Sequence, residues 1–509
     1  MPSDTSVDTR ADTRATAPAD ASAGPTRLAR TLGVRQGVVL ALANMSPTVS
    51  IGLGLGMIGA IVGTGLPATF LIACLPILGI AAGYARLSAR DPNAGTTYIW
   101  VRRALGPWLG FLLGWIGVAT AVLFLAYATQ LSGQFTLGVA AELGADVDPM
   151  NSMKLATGIG IAWTAAIAWT AVRGVELAAR VQGLLFGFAV VVVTAVCVAG
   201  FFGIGDGGAT AQFSAGWFNP FGFDGTSVMA GGVLMAAYTF WGWETAFSVS
   251  EENVDRKVAG KAGLISIALA AAMFVFAAVA FQRSLTAEEF AEYGANALPY
   301  LTDKMFGGAG AFVAYLAMLL STLACLQSSV ISGARLTMAM GRNGVLADRW
   351  ARLHPVHRTP AFSTYATVGI GLVLAVVGVA LGKLSDVIMA TVNAVGILVS
   401  FSYGVVGVAC VLLFRRELRQ SLGNLLTMAV LPGLSGLALL ALGGYMIHLN
   451  WTAADHIAFD ATNGRFLVAV PVAIIVLGLP IAAWNKFVRK PDYFTLPRAV
   501  DPDHAVGPH

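Results

Sequence analysis

The stretch Tyr238–Glu252, YTFWGWETAFSVSEE, decides how the chain is read. It lies within a long apolar run and breaks the rules such a run should obey. Gly242 interrupts it, Phe240, Trp241 and Trp243 crowd the interruption, and Glu244 places a carboxylate inside it. Arg180 and Arg335 lie near the ends of their runs, whereas Glu244 is well inside one. A charged group within a bilayer costs about 3 kcal/mol or more unless it is paired, neutralised or wetted. A glycine there lets a helix open, and the freed backbone groups must find partners in a cavity. Both features point to a functional site. The plainer account is a helix-packing glycine beside a glutamate bonded to nearby backbone.

Composition supports the membrane setting of that stretch. Of 509 residues, 57% are hydrophobic and 11% charged, against about 25% charge in soluble chains. Apolar runs of about 20 residues recur, which is the signature of transmembrane helices. Twelve spans are expected, near 37–62, 64–86, 107–138, 153–172, 178–203, 226–250, 260–282, 308–340, 361–381, 386–414, 423–447 and 465–488. Even parity puts both termini on one side. Of the 31 basic residues, only Lys154, Arg283, Lys304, Lys383 and Arg465 then fall on the far side. This asymmetry predicts a multi-pass plasma-membrane protein with both termini cytoplasmic, and no nucleic-acid partner is needed to explain the charge. The loop 285–294, LTAEEFAEYG, reads as a short amphipathic helix on the outer face. Residues 1–32 read as a disordered cytoplasmic tail without a signal-peptide core, 33–490 as the membrane domain and 491–509 as a cytoplasmic C-terminal tail.

The first span repeats the anomaly of the sixth. It reads NMSPTVSIGLGLGMIGAIVG over 44–63, with Pro47 removing a helix hydrogen bond and Gly52, Gly54 and Gly56 weakening the helix beyond it. Interrupted spans at matching places in two halves mark a binding site at a repeat interface. The repeat would be spans 1–5 and 6–10.

Other motifs exclude alternatives. Gly54, Gly56 and Gly59 fit G-x-G-x-x-G, but a dinucleotide site needs a preceding strand; close helix packing explains them better. No G-x-x-x-x-G-K-[ST], HExxH or GxSxG occurs, and Cys74, Cys197, Cys325 and Cys410 stand singly. Neither an ATP-driven pump, an enzyme nor a metal site is expected. His354 and His357 belong to a basic loop, HPVHRTP.

Four stretches carry a family resemblance: YARLSARDPNAGTTYIWVRRALGPWLGFLLGW (84–115), RGVELAARVQ (173–182), AYTFWGWETAFSVSEENVDRKV (237–258) and SGARLTMAMGRNGVLADRWARLHPVHRTP (332–360). Together they resemble the amino acid–polyamine–organocation (APC) superfamily of permeases, which has the leucine-transporter fold. The resemblance implies an all-α membrane protein of about twelve helices. Ten form a 5+5 inverted repeat with broken helices 1 and 6, and two more follow at the C-terminus. By position it implies that Val49, Ser50, Ile51 and Gly52 form the unwound part of helix 1 and hold a carboxylate through free N–H groups. Thr239, Phe240, Trp241 and Gly242 would be the unwound part of helix 6, with carbonyls for an ammonium group. Tyr238 and Trp241 would cover the substrate, Ser328 would face it from helix 8, and Glu244 is the coupling or gating candidate.

Three positions depart from the family pattern. The usual G-S-G of helix 1 is Val49-Ser50-Ile51, the usual helix-6 phenylalanine is Trp243, and Ala189 stands where some proton-coupled relatives have a lysine. The expectation is a secondary transporter of amino acids working by alternating access. Polyamine or organic amine transport, or a non-transporting sensor or subunit with the same fold, are the alternatives. No cofactor is expected; the coupling ion, proton or sodium, and the oligomeric state are open.

Overall fold

The computed structural model describes residues 28–495 apart from 29, 150, 206–208, 380–383 and 459–462. Among the described residues there are ten helical stretches long and apolar enough to cross a membrane. One of them, Val34–Arg90, has 57 residues, enough for two crossings of about 20 residues each, and it turns at Gly63–Gly65. The shorter apolar helix Thr226–Thr239 supplies a further, broken crossing. The total is the expected twelve.

In chain order the crossings are α1a (Val34–Met45) and α1b (47–62), α2 (Leu66–Arg90), α3 (Pro107–Glu142), α4 (Met153–Arg173) and α5 (Val175–Phe202). The second half has α6a (Thr226–Thr239) and α6b (Thr245–Ser248), α7 (Val258–Ser284), α8 (Gly308–Arg342), α9 (Ala361–Gly378) and α10 (Leu384–Leu413). Then follow α11 (Leu431–Thr452) and α12 (Gly464–Trp484). The packing has the symmetry of a five-helix repeat. α1a packs on α7 as α6a packs on α2, α3 packs on α10 as α8 packs on α5, and the pairs α2–α7 and α3–α8 meet at the centre.

Side-chain distribution follows the solvent. Leu75, Leu184, Val373 and Leu434 point outward and exposed on their helices, as a lipid-facing surface requires. Phe70, Phe135, Phe240 and Phe274 fill the interior.

The connections hold two differences from the sequence reading. The loop after α2 is short, because residues 97–105 form a helix of their own (Thr97–Leu105). The connector between α7 and α8, called the outer connector after the sequence expectation, contains the expected amphipathic helix, Ala287–Tyr293, and a second helix, Ala297–Phe306. Thr286 starts the first of these: its hydroxyl accepts the Glu289 N–H at 3.3 Å, and the Glu289 carboxylate accepts the Thr286 N–H at 2.8 Å, a capping box. Gly56 is bare so that this connector can approach, since a Cβ there would lie 2.3 Å from the Gly294 carbonyl oxygen.

Both ends of the described chain, at Leu28–Leu32 and Tyr493, lie on one face, here called the terminal face. The Thr31 and Leu32 N–H groups donate to the Glu252 carbonyl at 2.9 and 3.0 Å, and the Val254 N–H donates to the Leu32 carbonyl at 3.0 Å. Leu28, assigned to the tail by sequence, instead packs with Ala94 and Met338, while the tail through 27 lies outside the described residues. At the other end Tyr493 is buried and stacks on Tyr98 at 4.7 Å; residues 496–509 are likewise outside. Glu252 and Arg335 form a buried bidentate pair at 2.8 and 3.2 Å.

Candidate functional site

Pro47 decides where α1 breaks. A proline lacks the N–H of the helical ladder and pushes the preceding residue out of the α region. Ser46 stands outside the α region, in the left-handed conformation at φ 46° and ψ 59° that closes α1a, and Pro47 begins the next helical segment. The Ser46 hydroxyl meets that of Ser321 on α8 at 2.9 Å. Beyond the break the chain is helical again, and residues 50–55 take one wide turn, a π-helix over Ser50–Leu55. Such turns are frequent at functional sites.

The expectation of an unwound segment at Val49, Ser50, Ile51 and Gly52 is therefore corrected. Val49 (φ −71°, ψ −41°) and Ser50 (φ −60°, ψ −37°) are helical, because the proline places the break three residues earlier than the family pattern implied.

The break in α6 lies where the glycine put it. Residues 240–244 form turns between α6a and α6b, with Gly242 at φ +117°. A Cβ on Gly242 would stand 2.8 Å from the Asn44 carbonyl carbon and 2.9 Å from the Met45 nitrogen. The two broken helices thus touch backbone to backbone at this point.

Asn44 ties the contact together. Its amide donates to the Gly242 carbonyl at 3.3 Å and to the Thr245 hydroxyl at 2.8 Å. Its side-chain oxygen accepts the Ser329 hydroxyl at 2.7 Å, and its backbone oxygen accepts the Cys325 thiol at 3.0 Å. One buried amide joins α1, α6 and α8. Reading the runs for charge alone overlooks it; an uncharged amide three residues before a proline in an apolar run was the available signal.

Two cavities meet at this junction. The first, of about 80 Å³, lies between α1b, α3, α6a, α8 and α10. Val49, Ser50, Tyr238, Thr239 and Trp241 line it, with Asn44, Ser46, Tyr127, Thr322 and Cys325 among their neighbours. The second, of about 110 Å³, lies toward the terminal face and is lined by Tyr84, Thr96, Glu244, Ser329 and Tyr403, among others. Asn44 and Trp241 border both, so these two side chains form the partition. The Trp241 ring stands edge-on to Phe124 at 5.1 Å and parallel to Tyr238 at 6.3 Å.

The other sequence-assigned residues point elsewhere. Ile51 is buried in the core, and Gly52 faces Met318 of α8. Phe240 is fully buried against Phe274 of α7 at 5.1 Å. Gly242 contributes backbone, donating its N–H to Glu244 Oε2 at 3.1 Å. Ser328 donates to the Leu40 carbonyl at 2.8 Å and accepts from the Gln182 amide, so it braces α1a and α5. Trp243 leaves the first cavity untouched: it is fully buried with Tyr84 and Tyr403 at 4.8 and 5.6 Å. Glu244 is half-buried at the edge of the second cavity and accepts the Tyr403 hydroxyl on Oε2 at 2.8 Å.

The family model described as amino acid permease matches residues 35–479. The chain is similar to the low-affinity putrescine importer PlaP of Escherichia coli, at 24% identity over 463 residues, covering 87% of this chain and 96% of the importer. An uncharacterized transporter of Mycobacterium bovis is 26% identical over 357 residues, which is 67% of this chain and 73% of that protein. The human Asc-type amino acid transporter 1 is 24% identical over 300 residues, 58% of this chain and 55% of the transporter.

Proposed function

The chain belongs to the amino acid permease family, and from that premise we propose that it carries small apolar amino acids across the plasma membrane by alternating access. It is a multi-pass membrane transporter of amino acids or amines; the choice between them rests on the first cavity. Its lining offers hydroxyls, an amide, a thiol and many apolar groups, among them Leu53, Met57, Ile58, Leu131, Met235 and Val392, and among the described residues no side chain of Asp, Glu, Lys or Arg.

A diamine would bring two positive charges into that cavity, and a buried charge needs a paired counter-charge. Glu244 belongs to the cavity beyond Trp241. A zwitterion needs less. The first N–H groups of the segment starting at Pro47 and the last carbonyls of α6a present opposite partial charges to its carboxylate and ammonium. The apolar lining would then take its side chain.

The basic residues of the terminal face, among them Arg90, Arg103, Arg173, Arg256 and Arg342, support a cytoplasmic placement of both termini. Trp241 and Asn44 would be the elements that shift to connect the two cavities as the pathway turns inward.

Uptake into proteoliposomes tests the proposal. Radiolabelled alanine, leucine and methionine should enter, and unlabelled putrescine should not compete. Competition by putrescine at or below the amino acid concentration would move the assignment to amines. No uptake of these amino acids, nor of radiolabelled putrescine in a parallel assay, would favour the non-transporting alternative.

A further inference from the structure

Away from the transport pathway, the terminal face holds a third and larger cavity, of about 370 Å³. Its wall comes from four places in the sequence: Thr31, the α4–α5 corner with Arg173, Gly174, Leu177 and Arg180, the end of α6 with Glu252, and the loop 356–359 with His357 and Arg358. Three arginines face one hollow. Among the described residues of the wall the one carboxylate, Glu252, is already neutralised by its bidentate pair with Arg335. The described wall is therefore net cationic through Arg173 and Arg358.

Its walls are built before anything binds. The Thr359 hydroxyl donates to the Val172 carbonyl at 2.7 Å and pins the loop to the end of α4. The His354 N–H donates to the Thr359 carbonyl at 2.7 Å, and His354 Nδ1 accepts the His357 N–H at 3.2 Å. The two imidazoles stack at 4.7 Å, and Arg358 is held at φ +51°. On the other side the Arg173 guanidinium lies over the Trp169 ring at 4.3 Å. The first turn of α5 adds backbone N–H groups that no side chain caps, a polarity suited to an anion.

The surroundings identify the class of anion. Leu177, at the cavity wall, begins an exposed apolar stripe up α5 that continues through Leu184 (78% exposed), Phe188 and Val191. Positions 177, 184, 188 and 191 share one helical face. Val356 is exposed at the lip. A cationic hollow thus opens at the foot of a surface made for hydrocarbon. We propose that this cavity binds the phosphate of an anionic phospholipid, with an acyl chain lying along the α5 stripe. Guanidinium groups match phosphate oxygens in charge and geometry, and anionic headgroups draw clustered arginines at a membrane surface. Because Thr31 and Glu252 share the wall, the bound lipid would span from α4, α5 and the 356–359 loop to the joined ends of α1 and α6.

The test compares wild-type protein with Arg173→Gln/Arg358→Gln in nanodiscs of phosphatidylglycerol, in nanodiscs of phosphatidylcholine, and in phosphatidylcholine with added inorganic phosphate. Melting temperature is read in each, and lipid retention by native mass spectrometry. Melting of the variant in phosphatidylcholine alone checks its folding; Arg358→Gln, on the exposed loop, replaces it if the double variant melts early. The expected result is a higher melting temperature and retained phosphatidylglycerol for wild type. Retention should weaken about 30-fold in the double variant, at about one kcal/mol for each arginine. Equal protection by inorganic phosphate would keep the oxyanion site but assign it to a soluble anion. Equal behaviour in both lipids without a phosphate effect, or a phosphatidylglycerol preference that survives the substitutions, would overturn the proposal.

Discussion

At Gly242 two requirements meet in one residue: a φ of +117° and a backbone contact with Asn44. A side chain in that backbone conformation costs about 1–3 kcal/mol in strain, and a Cβ would also push α1 from α6. Gly242→Leu should insert normally and lose uptake; wild-type uptake by that variant would mean that the break is mere packing. Glu244 presents a different case. The Gly242 N–H and the Tyr403 hydroxyl both donate to its Oε2, so a single carboxylate oxygen secures the break. A glutamine carbonyl can accept both bonds. Glu244→Gln should therefore fold, transport and keep the wild-type pH–rate profile. A flattened profile in that variant would instead make the carboxylate a proton carrier. Side-chain facing was the least legible feature at this scale. One residue along a helix turns the direction by about 100°, so Ser328 braces Leu40 while its neighbour Ser329 reaches Asn44 and lines the second cavity. Sequence spacing alone does not supply that phase.

The broken helices are the elements on which function turns. In α1 the break is written in Pro47, and its position was legible from that residue alone; matching the family's glycine motif displaced it to 49–52. The strain is held at Ser46, a non-glycine residue in the left-handed region, at a cost of about 1–2 kcal/mol. Pro47→Ala removes its cause. That variant should melt no lower than wild type yet transport more slowly, since a straighter α1 gives up the contact with Ser321. Unchanged uptake would show that the break does not need the proline. The outer connector makes a prediction about pH. Burial opposes the charge of Glu289, but the Lys304 ammonium at 2.6 Å, the Thr286 N–H and the Tyr300 hydroxyl outweigh it and hold the carboxyl below its ordinary value. A lowered folded value means that the stabilisation is present above the unfolded value, about 4.3, and is lost as pH falls through the folded one. Amide exchange protection of 287–306 should hold from neutral pH to about 5 and decline below about 4. Protection that weakens already between pH 7 and 5 would rule this clamp out.

For the molecule as a whole, the twelve crossings were legible because lipid leaves no other choice: backbone groups in hydrocarbon must be bonded within the helix. Contacts between distant segments stayed obscure, such as Leu28 against Met338, Tyr493 on Tyr98, and the pair Glu252–Arg335. Periodicity within one helix carries no record of its partner. The orientation proposed from charge can be tested at Asn93, in the short segment between α2 and the helix Thr97–Leu105. Asn93→Cys should resist an impermeant thiol reagent in intact cells and react in inverted vesicles. The four native cysteines are buried and should add little background. Labelling from outside would reverse the placement of both termini.

The hydrogen bonds from residues 31 and 32 to 252, and from 254 back to 32, acquire a mechanical meaning beside the Asn44–Gly242 contact. Two rods pinned at two separate points no longer swivel independently. α1a and α6b are fastened at the terminal face and again at the level of the cavities, so they form one crank with a common axle. Torque applied to either rod is delivered to both. Thr31 and Leu32 are the coupling at one end of that crank, whereas Tyr493 is fastened elsewhere, on Tyr98 of the helix Thr97–Leu105. The two described ends therefore differ in kind: a load at Thr31 is geared to the paired rods, and a load at Tyr493 falls on Tyr98 instead.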